Sequence, residues 1–423
     1  MSLFCKPVSS KRRFLPHRLL NQGFTFTLFP SVAAVPSSEW ESLSGQSSIF
    51  LNPAYLSIVE KCTYTSMLCR YVIVYYNKKP CGIIYYQVIT FKAGTLGDLV
   101  TAQFQNGQSK RLSMFEKYIE SNRNEELLRL FTCGNNLISG DYGFVFSKDI
   151  NQQTATELLL NITETIAREE KIRGAICAIL IKDFHKPLEP SRLLDNEKYT
   201  RFAVEPNMVV EIPEGVKNKE EYIELFSKKY RNRAKTIFKS LAGLEFKELT
   251  LTEIQKHEKE IYSLYENIFD RARFKLTKLP EYYFSKVKAE FREQFKLTAL
   301  FRESKILAFG SCFLMPDSDL EAHYIGFDYE VNNEYNLYQN LLYQMIESGI
   351  KNKCKCVNLG RTAAEIKTTV GAKPHELICY IKPQNTVSRV IQKPFIGMLQ
   401  PAEWTPRNPF KEEPEEKRAG QKV

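Results

Sequence analysis

Two distant stretches of the chain follow one plan, and that repetition limits the fold more than any other feature of the sequence. Residues 71 to 91, YVIVYYNKKPCGIIYYQVITF, read as two apolar strands joined at Asn77-Lys78-Lys79-Pro80. Residues 297 to 315, LTALFRESKILAFGSCFLM, repeat the design around Glu303-Ser304-Lys305. Strand-like, helix-like and again strand-like sequence follows each: LRLFTCGNN, TELLLNITETIAREE and GAICAILI in the first half, EAHYIGFDY, LYQNLLYQMIESG and CKCVNLG in the second. A unit of hairpin, strand, helix and strand that occurs twice predicts an α/β (α+β) chain of two tandem domains, each a mixed sheet flanked by helices. At 423 residues the chain is also long for a single core. The expected divisions are a basic segment over 1–25, an N-terminal domain over 26–210, a C-terminal domain over 211–385 and an extension over 386–423. The end of that extension, EWTPRNPFKEEPEEKRAGQKV, is charged and proline-bearing and reads as a disordered tail.

The helix of the second unit is the best marked. Asn332 or Asn333 can cap its first-turn amides, Glu334 suits its positive end, and Leu337, Tyr338, Leu341, Leu342 and Met345 share one face up to a stop at Gly349. Between the units, NKEEYIELFSKKYRNRAKTIFKSLAG places Tyr230, Ala234, Ile237, Phe238 and Leu241 on an apolar face and stacks Arg231, Lys235 and Lys239 on another. Such a column is either a solvated helix face or an anion-binding ridge.

Composition removes several classes. No run of 18 uncharged apolar residues occurs, which excludes a membrane-spanning helix, although peripheral membrane contact stays open. The first residues are basic but lack the apolar core and cleavage site of a secretory signal, so a cytoplasmic protein is expected. Ten cysteines lie scattered, and Cys354-x-Cys356 leads into a strand; none has zinc-like spacing, so they read as structural thiols and no metal is expected. A net charge of +10 favours an anionic partner such as a phosphate-bearing cofactor, RNA or anionic lipid.

Several features, taken in order, resemble the two-domain acyltransferases of the GNAT superfamily, specifically the FemAB-like branch. They are Trp40 with FLNPAYLSIVEK at 50 to 61, the first hairpin, the basic SKKYRNRAKTIFK at 227 to 239, the second hairpin, YIGFDYE at 324 to 330 and LGRTAAEIKTTVGAKP at 359 to 374. The resemblance implies two tandem GNAT-like domains and transfer of an acyl or aminoacyl group to an amine. It further implies that the strand over Glu321 to Phe327 splays from its neighbour and offers backbone amides to the reacting carbonyl. Acetyl-CoA-dependent members carry a glycine-containing loop after this strand that wraps the pyrophosphate; here FDYEVNNEYN has no glycine and bears Asp328, Glu330 and Glu334, and FVFSKDINQQTA in the first unit also lacks such a loop. No tightly bound cofactor is therefore expected. Acyl-CoA or aminoacyl-tRNA remains as donor substrate, with tRNA or an acyl carrier as partner.

On that strand His323 can serve as base or be a packed histidine. Alternation sets Glu321 and His323 on one face and Tyr324 on the other, with only one face able to look into a cleft. Asp328 ends the strand as a carboxylate or a helix cap, and Tyr335 can donate a proton to a leaving group. Arg361 follows a strand and Gly360, and its fork suits a carboxylate or phosphate on an anionic small-molecule substrate; Lys367, Lys235 and Lys239 can assist it. Gly134, Gly140 and Gly143 read as turn formers. Two functions follow: an N-acyltransferase acting on a small-molecule or cell-envelope amine, or a non-catalytic basic module on a degenerate double fold that holds RNA or anionic lipid.

Overall fold

In the computed structural model the described residues are 18–19, 23–45, 48–63, 66–92, 127–241, 243–272, 277–401 and 403–411. The strands are β1 (Arg18–Leu19), β2 (Phe24–Phe29), β3 (Met67–Tyr76), β4 (Lys79–Lys92), β5 (Leu127–Cys133), β6 (Phe144–Phe146), β7 (Ile176–Phe184) and β8 (Thr200–Glu211), followed by β9 (Phe246–Glu248), β10 (Phe295–Arg302), β11 (Lys305–Leu314), β12 (Leu320–Phe327), β13 (Cys356–Asn358) and β14 (Lys373–Pro383). The helices that matter below are α1 (Pro53–Thr63), α2 (Gln152–Lys171), α3 (Lys228–Lys239), α4 (Glu258–Phe269), α5 (Leu337–Lys351) and α6 (Thr386–Leu399).

The repeat in the sequence is a repeat in the structure. The hairpin β3–β4 turns at Asn77 and Lys78, both at positive φ, and β10–β11 turns through Glu303, also at positive φ. Strand β5 runs antiparallel to β4 and parallel to β7, with α2 as the crossover; β12 runs antiparallel to β11 and parallel to β13, with α5 as the crossover. The next strand of each unit is exchanged. Strand β8, which follows the first unit in sequence, pairs with β13 of the second, whereas β14, which follows the second, pairs with β7 of the first. The exchanged strands β8 and β14 also pair with each other, so the two mixed sheets join into one 14-stranded sheet, with β6 pairing β4 to the side of the main path. Two units with closed edges would give separate sheets; the exchange fuses them because each unit's last strand completes the other's edge.

One hydrophobic core is common to both units. Tyr71, Ile73, Ile83 and Tyr85 of the first hairpin cluster with Leu297, Ala299, Phe309 and Phe313 of the second, and α1 and α4 contribute to the same cluster. On other faces α2 covers the first unit, α5 the second, and α6 the exchanged strands. No helix of the described residues is long and apolar enough to cross a membrane.

Three local expectations are corrected. The helix expected from Asn332 or Asn333 is broken: a short turn over Asn332–Tyr335 ends at Asn336 in the left-handed region, and α5 starts anew there. Gly349 lies inside α5, where a Cβ would run into the Val357 side chain, so it permits close packing on β13 and does not stop the helix. Residues 403–411 of the expected tail are placed. The Phe410 ring packs edge-on against Phe226, Ser227 N donates to Pro409 O at 2.8 Å, Lys411 N donates to Leu225 O at 3.1 Å, and Arg407 pairs with Glu365. Two aromatics and a prolyl carbonyl set among charges are enough to anchor a segment whose average composition reads as solvated. The segments 1–17 and 412–423 lie outside the described residues.

Candidate functional site

The site exists because β13 is short. It pairs with β12 only at Leu320↔Val357 and Glu321↔Asn358, and with β8 only from Val209 to Glu211, the chain continuing to Leu359 and Gly360 alongside Met208. Beyond that point β12 and the first half of β8 diverge with no strand between them, and the wedge opens a cavity of about 460 Å³ at the junction of the units. That size suits a small molecule or the reacting ends of two. Tyr324 N donates to Ser311 Oγ and Asp328 N to Leu307 O, both toward β11. Alternation along a strand therefore turns the N–H group of Ile325 to the open edge, while a bulge opposite Ser311 interrupts the alternation at His323. Because the opening lies in the plane of the sheet, residues from Glu321 through Ile325 all line it, and the expectation that one face alone could do so is corrected.

At the cavity's waist three charges meet. Asp183, fully buried and at positive φ, ends β7 between the Lys182 ammonium and the Arg361 guanidinium, and also accepts from Gly140 N at 3.3 Å and Cys379 Sγ at 3.4 Å. Burial would raise its carboxyl, but the two cations outweigh burial and hold it below the usual carboxylate range. Lys182 spends its remaining donors on Asn135 O at 2.8 Å and Ile138 O at 2.9 Å. Two cations around one carboxylate leave this wall net positive. The Arg361 Nε, shielded from solvent, has no hydrogen-bond partner among the described residues.

Across the opening stands Glu321, buried where β12 and β13 part, with Asn358 Nδ2 donating to its Oε1 at 3.0 Å. Burial drives its carboxyl well above the ordinary value. The same Asn358 accepts Gly360 N through Oδ1 at 2.9 Å, so one side chain fixes both Glu321 and the turn that presents Arg361. His323 shares a 2.8 Å hydrogen bond between its Nε2 and the Tyr283 hydroxyl; burial lowers it to about 3, so the ring is neutral, and its Nδ1 has no partner among the described residues. Tyr324 donates its hydroxyl to Leu137 O at 2.9 Å and lines the cavity.

The structure thus brings Arg361, His323, Tyr324 and Lys367 to one cavity. Lys367 is buried with its three N–H groups on the carbonyls of Leu359, Gly360 and Arg361, at 2.7, 3.1 and 2.5 Å, so it clamps the turn that carries Arg361. The other expected residues lie apart from the cavity lining. Asp328 pairs with Lys305 at 3.2 Å and caps Glu330 N at 3.0 Å; Tyr335 is buried in the packing under α5. Lys235 pairs with Glu224 at 3.4 Å on α3, and Lys239 is exposed at the end of that helix. The sequence reading missed Lys182 and Asp183, whose signal stood at the end of AILIKD: two charges closing a strand whose every residue is buried. It also passed over Glu321 and Asn358, which only the pairing of distant strands brings together. Among the described residues no cluster of histidine, cysteine and carboxylate side chains could hold a metal ion.

No family model matches the chain, and no curated protein matches it in sequence. Among solved structures, a FemX crystal structure aligns over 84% of this chain and 96% of its own, at 11% identity and a TM-score of 0.49. A tandem GNAT protein from the clavulanic acid biosynthesis pathway aligns over 85% and 98%, at 7% identity and a TM-score of 0.46. The L-PGS structure from Bacillus licheniformis aligns over 78% and 88%, at 12% identity and a TM-score of 0.43. The repeated unit, its strand order and the wedge beside β12 define a tandem mixed α/β fold in which two like units share one sheet.

Proposed function

We propose that the protein is an N-acyltransferase that joins an activated acyl or aminoacyl group to an amine in the central cavity. The observation that carries this is Glu321: a buried carboxyl with a raised pKa, at the last paired position of β12 before it parts from β13, lining the same cavity as the cationic wall around Arg361. An amine reaches such a site protonated, and a carboxyl tuned upward is a better matched proton acceptor than an ordinary one. Glu321 first takes a proton from the ammonium and so frees its lone pair; the nitrogen then attacks the acyl carbon, and the Ile325 N–H faces the oxygen that becomes negative. As that intermediate collapses, the bond from the acyl carbon to the donor's oxygen or sulfur breaks, the second amine proton goes to that leaving atom, and the leaving group departs along the open edge. His323, held neutral by burial, is too weak a base for this.

The donor in this reading is not gripped by its pyrophosphate. Between β12 and α5 several backbone donors are already spent: Glu330 N on Asp328, Glu334 N and Tyr335 N on Val331 O, Tyr338 N on Asn332. Three carboxylates in the same stretch oppose a phosphate. An aminoacyl-tRNA or a carrier-bound acyl group, whose reactive end alone enters the wedge, fits these walls better than coenzyme A wrapped at a helix start. The basic-module reading finds less support, because Arg231 and Lys235 of its ridge are paired with Glu224.

Incubation with pools of acyl-CoA, acyl carrier and aminoacyl-tRNA, read by mass spectrometry of amine products, tests the activity. Transfer should appear from at least one pool, and Glu321→Gln should lower its rate by about 10²–10⁴-fold, the usual worth of a positioned base. Absence of transfer from every pool, or a fully active Glu321→Gln, would overturn the proposal.

A further inference from the structure

The cavity has two apolar arms that meet at the polar waist. One lies between β12 and the helices α4 and α5, walled by Tyr265, Phe269, Leu342 and Met345. The other lies over the exchanged strands, walled by Leu180, Phe202, Val204, Phe395 and Leu399, the last two from α6. The first arm runs beside the open edge of β12, where the donor's carbonyl belongs in the reading above. The second arm starts at Asp183, Cys379 and Arg361, and nothing in that reading uses it.

At the waist one side chain ties together the two polar groups that a second substrate would meet. Asn358 bonds to Glu321 with its amide nitrogen and to the Gly360-Arg361 turn with its amide oxygen. Glu321 is the group for a nitrogen. Arg361, its Nε without a partner among the described residues and its cluster net positive, is the group for an anion. A molecule touching both carries an amine and a carboxylate, and the single Asn358 side chain links the Glu321 carboxyl to the backbone turn from which the Arg361 side chain departs. Beyond Arg361 the walls named above are apolar, and the Cys379 thiol beside them is turned to Asp183.

Resting on the transferase reading, we infer that the acceptor is an amino acid-like zwitterion with an apolar side chain: its amine at Glu321, its carboxylate on Arg361, its side chain in the arm formed by Phe202, Val204, Phe395 and Leu399. This explains why an arginine already facing Asp183 also borders the cavity. The carboxylate of Asp183 fixes the guanidinium from one side and leaves the cluster one positive charge to spend on the ligand. An apolar side chain displaces water from the second arm at roughly 25 cal/mol per Å² buried. A polar one would leave its groups unpaired there.

Calorimetric titration of the full chain separates the three contacts without a donor. L-Leucine and L-phenylalanine should bind measurably. Leucinamide, which lacks the anion, and 4-methylpentanoate, which lacks the amine, should each bind at least tenfold more weakly than leucine, and glycine and L-glutamine likewise. Arg361→Met should bring leucine down to the affinity of leucinamide and leave leucinamide unchanged; if that variant does not fold, the ligand series on the parent protein decides alone. Equal binding of leucine and leucinamide, of leucine and 4-methylpentanoate, or of leucine and glycine overturns the inference, as does no binding of either amino acid at millimolar concentration. Transfer to amines with no preference for a carboxylate would leave the transferase reading standing and this inference refuted. The expected binding pattern without any transfer would do the reverse.

Discussion

Glu321 and Lys367 are both buried ionisable residues, and they do different work. The Glu321 carboxyl titrates above its ordinary value in the folded chain, so the folded state holds the proton more tightly than the unfolded one, whose value is about 4.3. The stability this gives is full below about pH 4.3 and is lost as the pH rises through the raised value. Glu321→Gln keeps an oxygen for Asn358 and cannot ionise. It should therefore gain stability relative to the parent between pH 4 and pH 8, in urea midpoints, while transfer falls; a variant that loses ground as pH rises would mean the carboxyl is not strained by burial. Lys367 is pushed down to about 7 by burial, yet its donors satisfy three carbonyls of the Leu359-Gly360-Arg361 turn. Lys367→Met leaves those carbonyls bare, each at roughly 1–3 kcal/mol where water cannot reach. Denaturant unfolding should show a large loss, whereas exposed Lys239→Met should be within about 0.5 kcal/mol of the parent.

Among the elements, the wedge beside β12 and the strap over 403–411 carry the testable consequences. Because the loop after β12 has several of its amides already bonded and bears three carboxylates, coenzyme A should bind weakly by calorimetry. Micromolar binding abolished by substitutions in 328–336 would contradict that reading. The strap is fixed by the Phe410 ring against Phe226 and by backbone bonds to Leu225 and Ser227. Phe410→Ala should cost about 1–3 kcal/mol in urea unfolding, for a partly buried ring packed against a core cluster, and Arg407→Ala on its exposed pair with Glu365 under 1 kcal/mol. These elements differ in how far the sequence announced them. The hairpins are visible as alternating apolar runs broken by turn residues, and α5 as an apolar stripe. The strap is not, since its hold depends on a bridge between Phe226 and Phe410, far apart in the chain. The break at Asn336 is likewise invisible to periodicity, because a single left-handed residue leaves the stripe on its face.

For the whole molecule the exchange of β8 and β14 is the governing fact. A fragment ending at Glu211 would carry β8 without β13 or β14, and β7 without its outer partner. Expressed alone it should be insoluble or lack a cooperative unfolding transition by circular dichroism, and co-expression with the remaining chain should restore a single transition. Independent folding of the fragment would show that the exchange is dispensable. The sequence by itself determined the repeated unit, its hairpins and its crossover helices, and it pointed to Arg361 and to the strand carrying His323, which border the cavity, because each of these is written in local periodicity, turn chemistry or a charge placed after a strand. It could not determine that the units share a sheet, that Asp183 of one would face Arg361 of the other, or that Glu321 would be buried beside Asn358. Those depend on which strand edges meet and where β13 stops. A backbone edge carries no side-chain label of its partner, so only the closing of the tertiary structure, where every unpaired edge must find a mate or open onto a cavity, decides it.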